Sequence, residues 1–152
     1  MVSDEMVLAE LIDSISKKLK RQLRKHCEEE NLEISLRDLD VLHFIGKNKK
    51  TMGEIATELN LTPGTITPII DKLIAHNILQ RERDENIDRR KVFVSLSESG
   101  EKLYNKHKYA QLQVATLMMN SFSKKDKTDT INVMKKINDN LNNIQDATLT
   151  EN

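Results

Sequence analysis

The chain has 152 residues, of which 38% are hydrophobic, 32% charged and 3% aromatic, which predicts one domain of long solvated helices rather than a compact β-sandwich. Basic and acidic residues number 24 each, so the net charge of zero neither favours nor excludes a nucleic-acid partner. A single cysteine excludes an intramolecular disulfide, and no apolar run approaches the roughly 20 residues that cross a bilayer, so we expect a cytoplasmic protein without membrane contact.

The first predicted helix spans residues 4–30. Its second half is strongly basic, which is typical of a solvated helix face and leaves contact with a DNA backbone as the alternative. Cys27 lies late on this helix with glutamates directly after it, so we predict a passive residue rather than a sensor. The apolar side chains recur at helical spacing and are Leu8, Leu11, Ile12, Ile15, Leu19 and Leu23.

A second helix is predicted to begin at Ser35. Asp38 supplies the carboxylate of a capping box, and Gly46 ends the helix. A basic loop follows, in which Lys49 and Lys50 are expected either to meet DNA phosphates or to be simple surface charge.

Two shorter helices joined by a tight turn are predicted over residues 51–75. Thr51 and Glu54 form a capping box for the first, and Thr62 followed by Pro63 begins the second. The second helix has one apolar stripe, made of Ile66, Ile69, Ile70, Leu73 and Ile74. Its opposite face and flanks carry Gly64, Thr65, Thr67, Pro68, Asp71, Lys72 and Ala75. This arrangement predicts a helix-turn-helix whose second helix enters the major groove.

A charged β-hairpin is predicted directly after the second of these helices. Leu79, Arg81 and Arg83 are expected on one face of the first strand, and Val92, Val94 and Leu96 on one face of the second, with the tip at 84–90 between them. A two-stranded ribbon beside a recognition helix is a wing, so residues 35–97 together predict a winged helix-turn-helix lobe.

Two further long helices are predicted over residues 98–146. The first follows Ser97, and the second begins at Ser123 with Asp126 as its capping carboxylate. Their apolar stripes, like that of residues 4–30, exceed what a small winged lobe can cover. Burial against a second copy is the economical solution, so we predict that these terminal helices form a two-fold homodimer.

Three segments carry a resemblance to a known family. They are Thr65-Ile66-Thr67 leading to Asp71-Lys72-Leu73, the wing motif Asp88-Arg89-Arg90, and Val94-Ser95-Leu96-Ser97-Glu98-Ser99-Gly100 at the strand-to-helix junction. In this order and spacing they resemble the MarR family of bacterial transcriptional regulators. The helical flanks extend the resemblance to residues 1–152 as one MarR-like domain.

The resemblance implies a homodimeric, sequence-specific DNA-binding regulator that reads a pseudo-palindromic operator. It implies a repressor released by a small anionic or lipophilic effector. It also implies that Arg90 reaches an adjacent minor groove and that Asp88 orients the arginines of the wing tip. The DNA-binding residues predicted from the pattern and the resemblance together are Thr62, Gly64, Thr65, Thr67, Pro68, Lys72, Arg81, Asp88, Arg89, Arg90, Lys49 and Lys50.

Pro68 departs from the family pattern, which usually places a longer polar side chain there. We expect Pro68 to face the groove and to loosen the first turns of its helix, with Gly64 absorbing part of the distortion. Thr65 and Thr67 hydroxyls have little base preference, whereas methyl groups pack on thymine, so an A·T-rich operator is predicted.

Other chemistries find little support in the sequence. His26, His43, His76 and His107 are scattered without a close two-ligand motif, so we predict no metal site. No phosphate loop, nucleophile elbow or catalytic carboxylate pair is present, so neither an enzyme nor a cofactor is expected. The alternative function is a winged-helix protein-interaction module, whose docking face would need large apolar anchors. Small or polar residues on the second helix of the turn favour DNA.

Overall fold

A computed structural model of the chain describes residues 2–29, 33–83 and 91–144. The predicted fold, mainly α with a small β-wing, is confirmed. The chain divides into two compact units, Met1–Val114 and Ala115–Asn152. No helix among the described residues is long and apolar enough to cross a membrane. The elements are α1 (Asp4–Glu29), α2 (Leu36–Ile45), β1 (Lys50–Thr51), α3 (Met52–Glu58), α4 (Pro63–Ala75), β2 (Leu79–Arg83), β3 (Val92–Leu96), α5 (Glu98–Met118) and α6 (Lys124–Ile144).

Capping boxes begin α2 and α3 at the predicted residues. The Ser35 hydroxyl accepts the Asp38 amide at 3.2 Å, and the Asp38 carboxylate accepts the Ser35 amide at 2.7 Å. Thr51 and Glu54 repeat the arrangement at 3.2 and 2.7 Å. These contacts satisfy amide groups that have no partner within the helix, so the chain itself fixes where each helix starts.

The core of the Met1–Val114 unit lies between α2, α3, α4 and the sheet. α4 contributes the stripe of Ile66, Ile70 and Leu73, each at most 1% exposed. Ile69 and Ile74, which are predicted with that stripe, are only partly buried at its edges. The other elements of this core contribute Val41, Leu42, Ile45, Ile55, Ala56, Ile78, Leu79, Val94, Leu96 and Leu103.

The sheet has three antiparallel strands in the order β1-β3-β2, which corrects the predicted two-stranded ribbon. Lys50 pairs with Val94 and Thr51 with Phe93, so the end of the predicted basic loop is a strand. Two residues are too short for a strand to show an alternating pattern in the sequence. β1 therefore joins the sheet directly to the start of α3.

The junction between β3 and α5 is held by a buried hydroxyl. The Ser97 hydroxyl accepts the Gly100 amide at 3.0 Å and lies 2.5 Å from the Asn77 carbonyl oxygen, to which it can donate. A Cβ added at Gly100 would stand 2.0 Å from the Ile78 carbonyl oxygen. Only glycine allows the first turn of α5 to approach the α4–β2 turn so closely.

We expect Gly100→Ala to destabilise the protein by about 3 kcal/mol or more, because the carbonyl that the new methyl group meets belongs to the backbone and cannot rotate away. Urea unfolding would measure the loss. Gly53→Ala in α3 is the matched control, since no atom lies within 4 Å of its added Cβ. We expect the control to gain up to about 1 kcal/mol from helix propensity. Equal stabilities for the two variants would contradict the close approach at Gly100.

Candidate nucleic-acid interface

The first turns of α4 carry a group of exposed hydroxyls. Thr62 caps the helix, accepting the Thr65 amide at 3.3 Å, and its hydroxyl lies 3.0 Å from the Thr65 hydroxyl. The Thr67 hydroxyl donates to the Pro63 carbonyl at 2.8 Å. Because that proton is already engaged, Thr67 offers an outside partner only acceptor lone pairs and a methyl group.

Gly64 and Pro68 complete the exposed face of α4. The helix is continuous through Pro68. Gly64 does not adopt a positive φ, and a Cβ added there would meet only the Thr62 hydroxyl, at 3.9 Å. Internal packing therefore does not require glycine at this position, and a side chain would extend from the face predicted to meet DNA.

Lys72 lies on the flank of α4 and is half-buried. Its ammonium group contacts the carboxylate of Asp38 in α2, which is only 1% exposed. The sequence predicts Lys72 at the duplex, and the structure gives its charge this internal partner. The two residues are 34 positions apart, so no helical or strand spacing could reveal the pair.

Arg81 extends from β2 to α4 and forms an ion pair with Asp71 at 2.6 Å. Both side chains are about half exposed, and such surface pairs contribute only about 0–1 kcal/mol, so a phosphate can replace Asp71. Arg83 follows on the same face of the strand and, with Met52 and Val92, completes a cavity of about 510 Å³ around Arg81. Arg83 is missing from the predicted site, although its alternation with Arg81 would have indicated it.

The two lysines of the predicted basic loop lie against aromatic rings. The Lys49 ammonium lies 5.1 Å from the ring centroid of Phe93. The Lys50 ammonium lies 5.0 Å from the ring centroid of Phe44 in α2. Lys49 lines a cavity of about 300 Å³ together with Glu82, the strand neighbour of Arg81. Successive strand residues point to opposite faces, so Lys49 and Arg81 lie on opposite sides of the sheet.

The remaining predicted site residues, Asp88, Arg89 and Arg90, lie outside the described part of the chain.

The family of the protein follows from its sequence pattern. The pattern that defines the SarA/Rot transcriptional regulators matches residues 21–107, which include α2 to β3. This chain belongs to the SarA/Rot family. No curated protein matches the SarA/Rot-family chain at a significant level.

Solved structures similar to this SarA/Rot-family protein are MarR-type regulators. FabT of Streptococcus pneumoniae in complex with DNA has a TM-score of 0.80 at 20% identity, covering 93% of this chain and 100% of that one. A MarR family protein from Bacillus stearothermophilus gives 0.73 at 20% identity, with 93% and 99% covered. MepR of S. aureus in its DNA-binding conformation gives 0.69 at 19% identity, with 88% and 98% covered. The predicted MarR-type fold is confirmed.

Two histidines of the SarA/Rot-family chain meet between α2 and α5. His107 is buried, and its Nδ1 lies 2.7 Å from Nε2 of His43. Burial lowers the pKa of His43 below its ordinary value; Lys108 lowers it further, while Asp40 opposes the shift. No group of three potential metal-binding side chains occurs within the ranges that the structure describes.

The lowered pKa of His43 predicts a loss of stability in mild acid. Above the ordinary value of about 6.5, His43 is neutral in both the folded and the unfolded chain. As the pH falls below 6.5, the unfolded chain takes up the proton more readily, so the free energy of unfolding falls by at most about 1.4 kcal/mol per pH unit. Urea unfolding between pH 7.5 and 5.5 would measure this slope. We expect His43→Gln to flatten this slope. An unchanged slope in His43→Gln would assign the effect to another group.

Proposed function

We propose that this SarA/Rot-family protein is a homodimeric, sequence-specific DNA-binding regulator that uses α4 as its recognition helix and acts as a repressor released by a small ligand. The chemistry of α4 carries the proposal. Its apolar stripe is buried, and its exposed first turns present only small or polar groups such as Thr65, Thr67 and Pro68. A protein-docking face would need large apolar or aromatic anchors there. The solved DNA complex of the similar FabT supports the same use of the fold.

Cations beside α4 supply the contacts to phosphate. Arg81 and Arg83 are exposed on one face of β2, and the wing motif adds Arg89 and Arg90. Such cations release counterions from DNA and give an affinity that falls with salt. Lys49 lies on the opposite face of the sheet, so we do not include it among the contacts next to α4.

The dimer would cover two apolar helix faces. No side chain of α6, which is described throughout, is buried, and large exposed apolar patches mark interaction surfaces. A second copy is the commonest partner for such faces. It would set the two recognition helices about 34 Å apart, one turn of the duplex. The exposed residues are Leu8, Leu11, Ile12 and Ile15 of α1 and Ile131, Met134, Leu141 and Ile144 of α6, each 44–58% exposed.

A small anionic, lipophilic effector fits the cavity beside the wing. Arg81 and Arg83 supply positive charge, while Met52 and Val92 supply apolar surface. A ligand bound there would occupy the guanidinium groups that we assign to phosphates. The two anions would compete for the same cations, so ligand binding would release DNA.

We expect an A·T-rich duplex to emerge from binding-site selection with the full chain. Thr67→Ala and Pro68→Ala should change the preferred half-site bases, because they alter the groups that meet base edges. Arg83→Ala should instead weaken binding to all sequences alike and reduce the salt slope by about one unit. Fluorescence anisotropy at several salt concentrations measures both effects. Lys136→Ala, an exposed position on the face of α6 opposite its apolar stripe, controls for the loss of a surface charge. A chain that binds no duplex at low salt would refute the function.

Deletion of residues 123–152, which removes α6, should produce monomers and abolish specific DNA binding together. Analytical ultracentrifugation reports the mass, and circular dichroism checks that the remaining helices persist. Deletion of residues 145–152 leaves α6 whole and should keep the dimer. If the longer deletion stayed dimeric, α6 would not be part of the interface.

A further inference from the structure

The contact between Lys72 and Asp38 points to a task for Lys72 other than the direct DNA contact that the sequence predicts. Asp38 is 1% exposed. The same oxygen of its carboxylate accepts the Ser35 amide at 2.7 Å, the Ser35 hydroxyl at 2.9 Å and the Lys72 ammonium. A carboxylate at this depth is strongly disfavoured unless a cation and hydrogen-bond donors surround it. Lys72 is the cation of this group.

The cost of removing Lys72 from Asp38 argues against a phosphate contact. If the Lys72 ammonium moved to DNA, the complex would gain one phosphate contact of a kind that exposed cations already supply. Asp38 would then stay buried without its counter-charge. The exposed Arg81 pair with Asp71 lacks this penalty, since water can replace either partner. The two cations flanking α4 are therefore not equivalent: Arg81 can exchange partners, and Lys72 is held.

A second contact joins the same two segments. His76 follows α4, and its Nδ1 lies 2.8 Å from the Lys72 carbonyl oxygen. Its other ring nitrogen lies 3.8 Å from the carboxylate of Glu33, ahead of α2. Residues 33–38 thus contact α4 at two points one helical turn apart, both toward the end opposite the exposed threonines.

We propose that Lys72 is a positioning residue, and that its ion pair with Asp38 holds α4 at the angle from which Thr65, Thr67 and Pro68 discriminate bases. This inference rests on the proposed DNA-binding function. Base readout needs side chains placed to within a fraction of an ångström, whereas phosphate contacts tolerate small shifts. Loss of the pair therefore reduces discrimination between sequences and leaves the salt-dependent, sequence-independent affinity in place.

The test uses Asp38→Asn, Lys72→Met and the double variant in the full chain. Asp38→Asn retains a side-chain oxygen that can accept the Ser35 amide, and the Lys72 side chain can then turn to solvent. This variant therefore tests the ion pair even if Lys72→Met folds poorly. The ratio of specific to non-specific affinity, the salt slope and the melting temperature are measured for each. Each single variant should lower the ratio about tenfold, comparable with one mismatched base pair. The double variant should lose no more than the singles, and the salt slope should not change. Lys72→Arg should keep the wild-type ratio.

Three outcomes would overturn the inference. A salt slope reduced by one unit in Lys72→Met, with the ratio unchanged in Asp38→Asn, would make Lys72 a phosphate contact. Lower melting temperatures with an unchanged ratio in every variant would make the pair purely structural. A wild-type chain that binds no duplex would refute the proposed function itself, and it is distinguished from the other two outcomes by the wild-type measurement alone.

Discussion

Burial of one face of α4 is the constraint on which the winged lobe depends. Ile66, Ile70 and Leu73 recur at helical spacing, so they can enter the core together only at one rotation of the helix about its axis. Each buried aliphatic side chain contributes about 1.5–3 kcal/mol, more than any exposed ion pair on the same helix. The outward position of Thr67 and Pro68 is thus decided by residues on the opposite side. Polar contacts such as that of Asp38 then adjust an orientation that apolar packing has already selected.

Backbone features hold the rest of the lobe around this helix. Thr51 is both a residue of β1 and the cap of α3, so the sheet and the first helix of the turn share a fixed point. The α4–β2 turn is held in the same way by Ser97 and Gly100 at the start of α5.

The sequence predicts those parts of the fold that depend on neighbours along the chain. Helix starts at Ser35 and Thr51 follow from capping residues three positions apart, and the start at Thr62 follows from a capping hydroxyl with proline next to it. The stripe of α4 follows from helical periodicity. Pairs formed across the fold escape such patterns. Lys72 contacts Asp38 at a separation of 34 residues. His107 contacts His43 of α2 at a separation of 64 residues.

The same distinction between local patterns and contacts across the fold applies to the predicted DNA-binding residues. The exposure of the α4 threonines could be predicted from the helical periodicity of the sequence, because the residues on the opposite face are apolar. The opposite placement of Lys49 and Arg81 could not, since it depends on how β1 and β2 flank β3 in the sheet. Nor could the sequence show that the Thr67 proton is already taken by a backbone carbonyl.

The exposed face of α4 contributes almost nothing to the stability of the fold, and this has an evolutionary consequence. Gly64, Thr65 and Pro68 lie outside the core, so substitutions there leave the stripe beneath them unchanged. Single mutations at such positions can alter the bases that a duplicated copy prefers without lowering its stability below the threshold for folding. The same lobe can therefore give rise to paralogues with separate target sites, in which the buried stripe changes slowly and the exposed face diverges quickly.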